Sequence, residues 1–184
     1  MPDEQYESGL TKRACRGDKN AFGDLYERYL DQIYRYIYYR VSNPQDAEDL
    51  TEQVFLKAWE KLPQYRGSVP FRAWIYRIAH NIVIDHYRTR KDTVELPDDL
   101  PLADDRADVE AQLFSQERAA GLAAIIARLS PLHQHVLTLR FINGLSMKET
   151  AQVLGRNVGA VRVLQHRALK AAHTLLVAEE ITHV

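Results

Sequence analysis

Apolar residues recur at spacings of three and four along most of this chain, and polar breaks cut the pattern into helix-sized pieces. Phe22, Leu25, Tyr29, Ile33 and Ile37 form one stripe, predicting a helix from Asp18 or Asn20 to about Val41. Ser42-Asn43-Pro44 predicts the next start, with Asn43 as cap and Pro44 in the first turn. Ala47, Leu50, Val54, Ala58 and Leu62 carry that helix to Pro63. After the loop Gln64 to Pro70, the residues Phe71, Trp74, Ile75, Ile78, Ile82 and Tyr87 predict a third long helix, to about Lys91. Ahead of these, Tyr6 to Arg16 predicts a short helix closed by Gly17, after a frayed polar start. The six tyrosines between Tyr26 and Tyr39 are expected at a core edge with wet hydroxyls.

The period disappears from Asp92 to about Ala111 and returns afterwards. Leu113, Phe114, Leu122, Ile125, Ile126 and Leu129 predict one helix. Ser130-Pro131 starts another, ending near Gly144, with Leu132, Val136, Leu139 and Phe141 or Ile142 inward. Ser146 and Glu149 then form a Ser-x-x-Glu capping box, so a helix should begin at Met147. Gly155 stops it, since glycine takes the left-handed backbone without steric cost. Asn157 can cap a second helix one short turn later. Two helices joined by such a turn make a helix-turn-helix. No stretch shows strand alternation. The expected fold is all-α: two small helical domains, 18–91 and 113–178, joined by a linker at 92–112, with a short helical tail at 1–17 and a second tail at 179–184.

Charge sharpens this picture. The total of −1 hides strong segregation. Gln64 to Lys91 holds six basic residues against Asp85, net +5. Asp92 to Glu110 holds eight acids against Arg106, net −7, an acidic tether. Leu145 to Val177 holds five basic residues against Glu149, net +4. Arg162, His166 and Lys170 follow at i, i+4 and i+8, while Val161, Leu164, Ala168 and Leu169 can face inward. A helix basic on one side and apolar on the other suits the DNA major groove. Between Tyr65 and Arg90, arginines alternate with aromatic residues beside a Gly-containing loop. Arginines hold phosphates and aromatic faces accept unstacked bases, so this block fits opened or single-stranded DNA.

Other chemistry is weakly supported. His133 and His135 sit two apart, so their rings leave a helix on different sides. His80 and His86 are six apart, also poor for one face, with Asp85 between them. There is no phosphate-cradling Gly-rich motif and no nucleophile elbow. We therefore expect no catalytic residues, metal site or cofactor. The single cysteine, Cys15, excludes an intrachain disulfide. No apolar run reaches the ~18 residues of a membrane span, and the first residues lack a signal-peptide pattern. A cytoplasmic protein without membrane insertion is expected.

Several motifs in order resemble one family. Asp46-Ala-Glu-Asp-Leu-Thr-Glu-Gln-Val-Phe-Leu-Lys-Ala-Trp59, Tyr65-Arg-Gly, Phe71-Arg-Ala-Trp-Ile-Tyr-Arg-Ile-Ala-His-Asn81, Leu129-Ser-Pro and the helix-turn-helix resemble a bacterial RNA polymerase sigma factor of the extracytoplasmic-function type. The resemblance implies that Asp46, Asp49, Glu52, Gln53 and Phe55 dock on core RNA polymerase, at the β′ clamp helices, with further contact to the β subunit. It implies that Tyr65, Arg66, Ser68, Phe71, Trp74, Arg77, His80, Asn81 and Arg88 recognise and open the −10 element. It assigns −35 recognition to Lys148, Arg156, Arg162, Val163, His166, Arg167 and Lys170. An anti-sigma factor is an implied partner beside promoter DNA, and the acidic linker would thread the polymerase channels. The helix-turn-helix alone also resembles response-regulator output domains, so the rival is a stand-alone regulator binding duplex DNA as a dimer.

Overall fold

Helix after helix is set by local signals. The structure, a computed structural model, describes residues 2–93 and 121–182, with side chains at 5–89 and 121–178. Helix α1 spans Pro2–Ala14, so the polar start is helical rather than frayed. Gly17 then turns the chain with φ of 91°. Helix α2 spans Lys19–Val41, and Asp18 caps it by accepting from the backbone N–H groups of Asn20 and Ala21. Helix α3 spans Pro44–Lys61, capped by Asn43, whose side chain accepts from the Asp46 N–H at 3.0 Å. A 3₁₀ turn at Leu62–Gln64 leads into the loop before helix α4, Phe71–Thr93.

Helices α2, α3 and α4 pack around a core that includes Leu25, Ile33, Ile37, Val54, Ile75 and Val83, all inaccessible to solvent. Of the six tyrosines expected at a core edge, Tyr29, Tyr36 and Tyr39 go deeper and are buried, whereas Tyr34 and Tyr38 are half-buried and Tyr26 is exposed. Tyr29, Tyr36 and Tyr76 are among the largest fully buried side chains, and Tyr29 donates to the Glu7 carboxylate of α1 at 2.5 Å.

Residues 121–127 are helical and are called α5. Helix α6, Pro131–Leu137, widens into one π-helical stretch at Thr138–Ile142. Helix α7 spans Met147–Leu154 with both halves of the capping box formed: Glu149 N–H donates to Ser146 Oγ at 3.1 Å, and Ser146 N–H to Glu149 Oε2 at 2.7 Å. Gly155 ends it at φ of 62°, the left-handed position. Helix α8 spans Val158–Thr182, so residues expected in the C-terminal tail continue the helix. No strand occurs among the described residues. Leu113, Phe114 and all but the first two positions of the expected linker lie outside the described residues.

The two helical units touch. Leu139, Leu145 and Val153 join the buried cluster of α2–α4, while Tyr39 packs with Ala123 and Ile126. A smaller core, with Leu129, Val136, Ala151, Val161 and Ala168, holds α8 to α6 and α7.

Candidate nucleic-acid and polymerase interfaces

On α3 the buried stripe is wide. Ala47, Leu50, Thr51, Val54, Phe55 and Ala58 all face inward. This leaves Asp49, Glu52, Gln53 and Leu56 exposed at i, i+3, i+4 and i+7, one continuous face. Asp46, at the head of the helix, is half-buried and lies 3.8 Å from the His86 ring nitrogen. Phe55 departs from the sequence expectation. It is 5% exposed and meets Tyr26 edge-on, with ring centroids 4.6 Å apart. The apolar group that α3 does present is Leu56, 62% exposed among acids. The narrow stripe read from sequence could not separate the two, since Phe55 extends the buried face by one position.

The loop after α3 is braced by aromatic residues. Tyr65, Phe71 and Trp74 form a triangle with centroid separations of 5.1, 5.4 and 6.1 Å. Tyr65 donates its hydroxyl to the Val69 carbonyl at 2.6 Å, closing the loop on itself, while Gly67 makes the turn at φ of 69°. Burial, with smaller effects of Cys15 and Glu7, pushes the Tyr65 hydroxyl up to about 12, so it stays a donor at neutral pH. Phe71 is buried and Trp74 half-buried, so both serve mainly as packing. Arg66 and Ser68 are exposed at the loop. The loop and α1 together line a groove of about 820 Å³ that includes Glu7, Thr11, Cys15, Tyr65 and Arg66.

Along α4, Arg77, Asn81 and Arg88 are exposed on one side, and Asp85 pairs with Arg88 at 3.2 Å. Asn81 lines a smaller cleft between α3 and α4 with Lys57 and Lys61. His80 is turned inward, 8% exposed, against His135 of α6. In this arrangement it faces protein rather than solvent. Sequence periodicity carries no signal for that contact, which joins residues 55 apart.

The second surface is carried by α8. Asn157 accepts from the Ala160 N–H at 2.7 Å and fixes the first turn. Val161 and Ala168 are buried, and Leu164 is half-buried beside them. Leu169, expected inward, is 42% exposed, because it lies about 100° round the helix from Ala168, which with Val161, Leu164, Ala172 and Leu175 forms the packed face. Arg156, Arg162, Val163, His166, Arg167 and Lys170 are all exposed. Lys148 of α7 is exposed too, but it lines the cleft between the units with Arg28, Arg72 and Glu149.

Polar contacts cross that cleft. Arg72 donates to the Asn143 carbonyl at 2.5 Å and lies 3.9 Å from Glu149. The Asn143 amide donates to the Gln32 carbonyl at 2.9 Å. No cluster of three or more His, Cys, Asp or Glu able to hold a metal occurs among the described residues, and no described helix is long and apolar enough to cross a membrane.

A helical unit with an acidic helix face and an aromatic-basic loop, followed by a capped helix-turn-helix, defines a promoter-recognition class of protein. Residues 25–93 match Sigma-70 region 2, and residues 120–171 match Sigma-70, region 4. The chain is 42% identical to the ECF RNA polymerase sigma factor BldN of Streptomyces coelicolor, over 91% of this chain and 64% of that protein's length. It is 34% identical to the ECF RNA polymerase sigma factor ShbA of Streptomyces griseus, covering 90% of this chain and 93% of that one. Its fold is similar to CnrH in a complex with the cytosolic domain of CnrY, with a TM-score of 0.74 at 28% identity over 94% of this chain and 98% of that one. The chain belongs to the sigma-70 family, as an RNA polymerase sigma factor of the extracytoplasmic-function type.

Proposed function

We propose that this protein binds core RNA polymerase and directs it to promoters through two separate DNA surfaces. The observation that carries this is their coexistence on one chain: an exposed basic helix on α8 and an aromatic-braced basic loop before α4. A stand-alone duplex reader uses the first and has no need of the second. Unit 18–91 would hold polymerase and the −10 element, and unit 113–178 the −35 element.

Each surface has a physical task. On α3, Asp49, Glu52 and Gln53 followed by Leu56 at the end of the same face offer charged groups beside an apolar anchor, the form of a protein-docking face. Asp46 extends its acidic edge, and Phe55 supports it from beneath. On α8, Arg162, His166, Arg167 and Lys170, with Arg156 and Lys148 near the turn, would neutralise phosphates and reach base edges, while Val163 offers an apolar contact. At the −10 element, Tyr65, Arg66 and Ser68 would meet bases at the loop, and Arg77, Asn81 and Arg88 would track the backbone along α4. Stacking is worth ~1–3 kcal/mol per captured base against ~1.4 kcal/mol per duplex step, so a few captures tip local melting once polymerase holds the flanks. The chain itself needs no catalytic group for this, since polymerase makes the RNA, and its place of action is the cytoplasm.

CnrH is solved with the cytosolic domain of CnrY, and the RpoE sigma factor of Bartonella quintana is solved with the anti-sigma factor NepR. An anti-sigma partner is proposed here by analogy. The test is run-off transcription from a promoter library with purified core polymerase. Initiation should appear only when this protein is added, and should fail with Asp49→Ala/Gln53→Ala. Tight duplex binding with no stimulation of polymerase would favour the stand-alone regulator.

A further inference from the structure

Three polar groups from both helical units meet in a buried site between them. Tyr36 comes from α2, His80 from α4 and His135 from α6. The Tyr36 hydroxyl lies 2.8 Å from His135 Nδ1 and 3.4 Å from His80 Nδ1, and the two Nδ1 atoms are 3.2 Å apart. The imidazoles meet edge to face with centroids 4.2 Å apart. Tyr36 is fully buried, and His80 and His135 are 8% and 3% exposed.

This triangle closes when both histidines are neutral. The Tyr36 hydroxyl then donates to His135 Nδ1 and its oxygen accepts from His80 Nδ1–H. An added proton removes that acceptor or must be held between the two nitrogens. A second sets N–H against N–H. The surroundings oppose either proton. Facing the pair are Tyr36 and Arg40 from α2, and Tyr76 and Arg77 from α4; Tyr87 of α4 lies by Arg40. Arg40 is itself buried, with Nε and one terminal nitrogen lacking a hydrogen-bond partner among the described residues, and its guanidinium sits 5.6 Å from the Tyr87 ring.

We propose that Tyr36, His80 and His135 form a proton-sensitive latch, which holds the two helical units together while both imidazoles are neutral and releases them on protonation. Burial first, then Arg40 and Arg77, pushes His80 down to about 4 from its ordinary 6.5. Burial, Arg40 and His80 push His135 down further. The closed form thus binds protons less readily than an open form with ordinary imidazoles. Closure is fully present above pH 6.5 and is lost as pH falls through that value towards the closed-form values. Each histidine raises the open-to-closed ratio roughly tenfold between pH 7.5 and 5.5, and both together roughly a hundredfold. Opening would free the His80 side of α4 and the Lys148 side of α7. That consequence rests on the sigma reading, whereas the latch itself does not.

The test uses the full chain without polymerase. In a Cys15→Ser background, dyes at Glu60→Cys and Thr174→Cys report the separation of the units by energy transfer. Transfer should change reversibly between pH 7.5 and 5.5 while far-ultraviolet circular dichroism stays constant. His80→Phe/His135→Phe should remove most of that response. In the unlabelled wild-type chain, the His80 and His135 signals should titrate together by NMR, over the same pH range as the energy-transfer change, a result that needs no variant. A flat wild-type response, an equal response in the double variant, or His80 and His135 titrating independently of the energy-transfer change would overturn the latch. None of these outcomes bears on whether the protein stimulates transcription, so the two readings fail separately.

Discussion

Glu149 does two jobs, and substitution can separate them. It completes the capping box of α7 with Ser146, and it lies 3.9 Å from Arg72 across the cleft. Ser146→Ala removes the side-chain acceptor for the Glu149 N–H, and loss of such a cap costs about 1 kcal/mol, within a range of roughly 0.5–2. For a chain of this size, that lowers the melting temperature by about 2–4 °C. Glu149→Gln keeps a group that can accept from the Ser146 N–H, since glutamine also serves in a capping box. It removes only the charge paired with Arg72. That pair is long and part-exposed, with side-chain exposures of 28% and 19%, so its worth is at the low end of about 0–1 kcal/mol. Thermal melts at low and high salt separate the two. The Ser146→Ala loss should persist in about 0.5 M salt, where the Debye length falls to roughly 4 Å. The smaller Glu149→Gln loss should vanish there. A Glu149→Gln loss above about 2 kcal/mol that salt does not reduce would refute the assignment, because a screened pair cannot supply it.

Other consequences concern the surfaces. Leu56→Asp should abolish core-polymerase binding with stability changed by less than about 0.5 kcal/mol, whereas Phe55→Ala should cost about 3–5 kcal/mol and lower the melting temperature first; pull-down and thermal melts distinguish them. Lys170→Ala should weaken duplex binding about equally across sequences and reduce the salt slope by about 1, measured by anisotropy titration at several salt concentrations. Tyr65→Phe deletes the hydroxyl bond to the Val69 carbonyl, at a cost of about 0.5–1.5 kcal/mol to loop order; promoter opening should fall while −35 duplex binding is unchanged.

What the sequence made legible was local. Asn43-Pro44, the Ser146/Glu149 box and Gly155 act within one helical turn, and each formed as its residue types require. The stripe through Leu25, Tyr29, Ile33 and Ile37 was legible for the same reason: helical period alone puts those residues on one side. Exchanges between neighbouring positions were not. Phe55 and Leu56 are both apolar, and only the width of the α3 contact decides which one is buried. The meeting of Tyr36, His80 and His135 was also hidden. His80 looked like a DNA-facing residue because its own helix carries arginines and aromatics, while its partner lies 55 residues away. The π-helical stretch at Thr138–Ile142 has no local signature of the kind that marks caps.

The central claim is that this chain opens promoter DNA only as a subunit of polymerase. Permanganate footprinting on a promoter selected from the library tests it most directly, since permanganate oxidises unpaired thymines. The account predicts reactive thymines around the −10 element when core polymerase and this protein are both present, and none with either alone. Thymine reactivity that core polymerase produces without the protein, or a promoter that stays fully paired with both present, would contradict it.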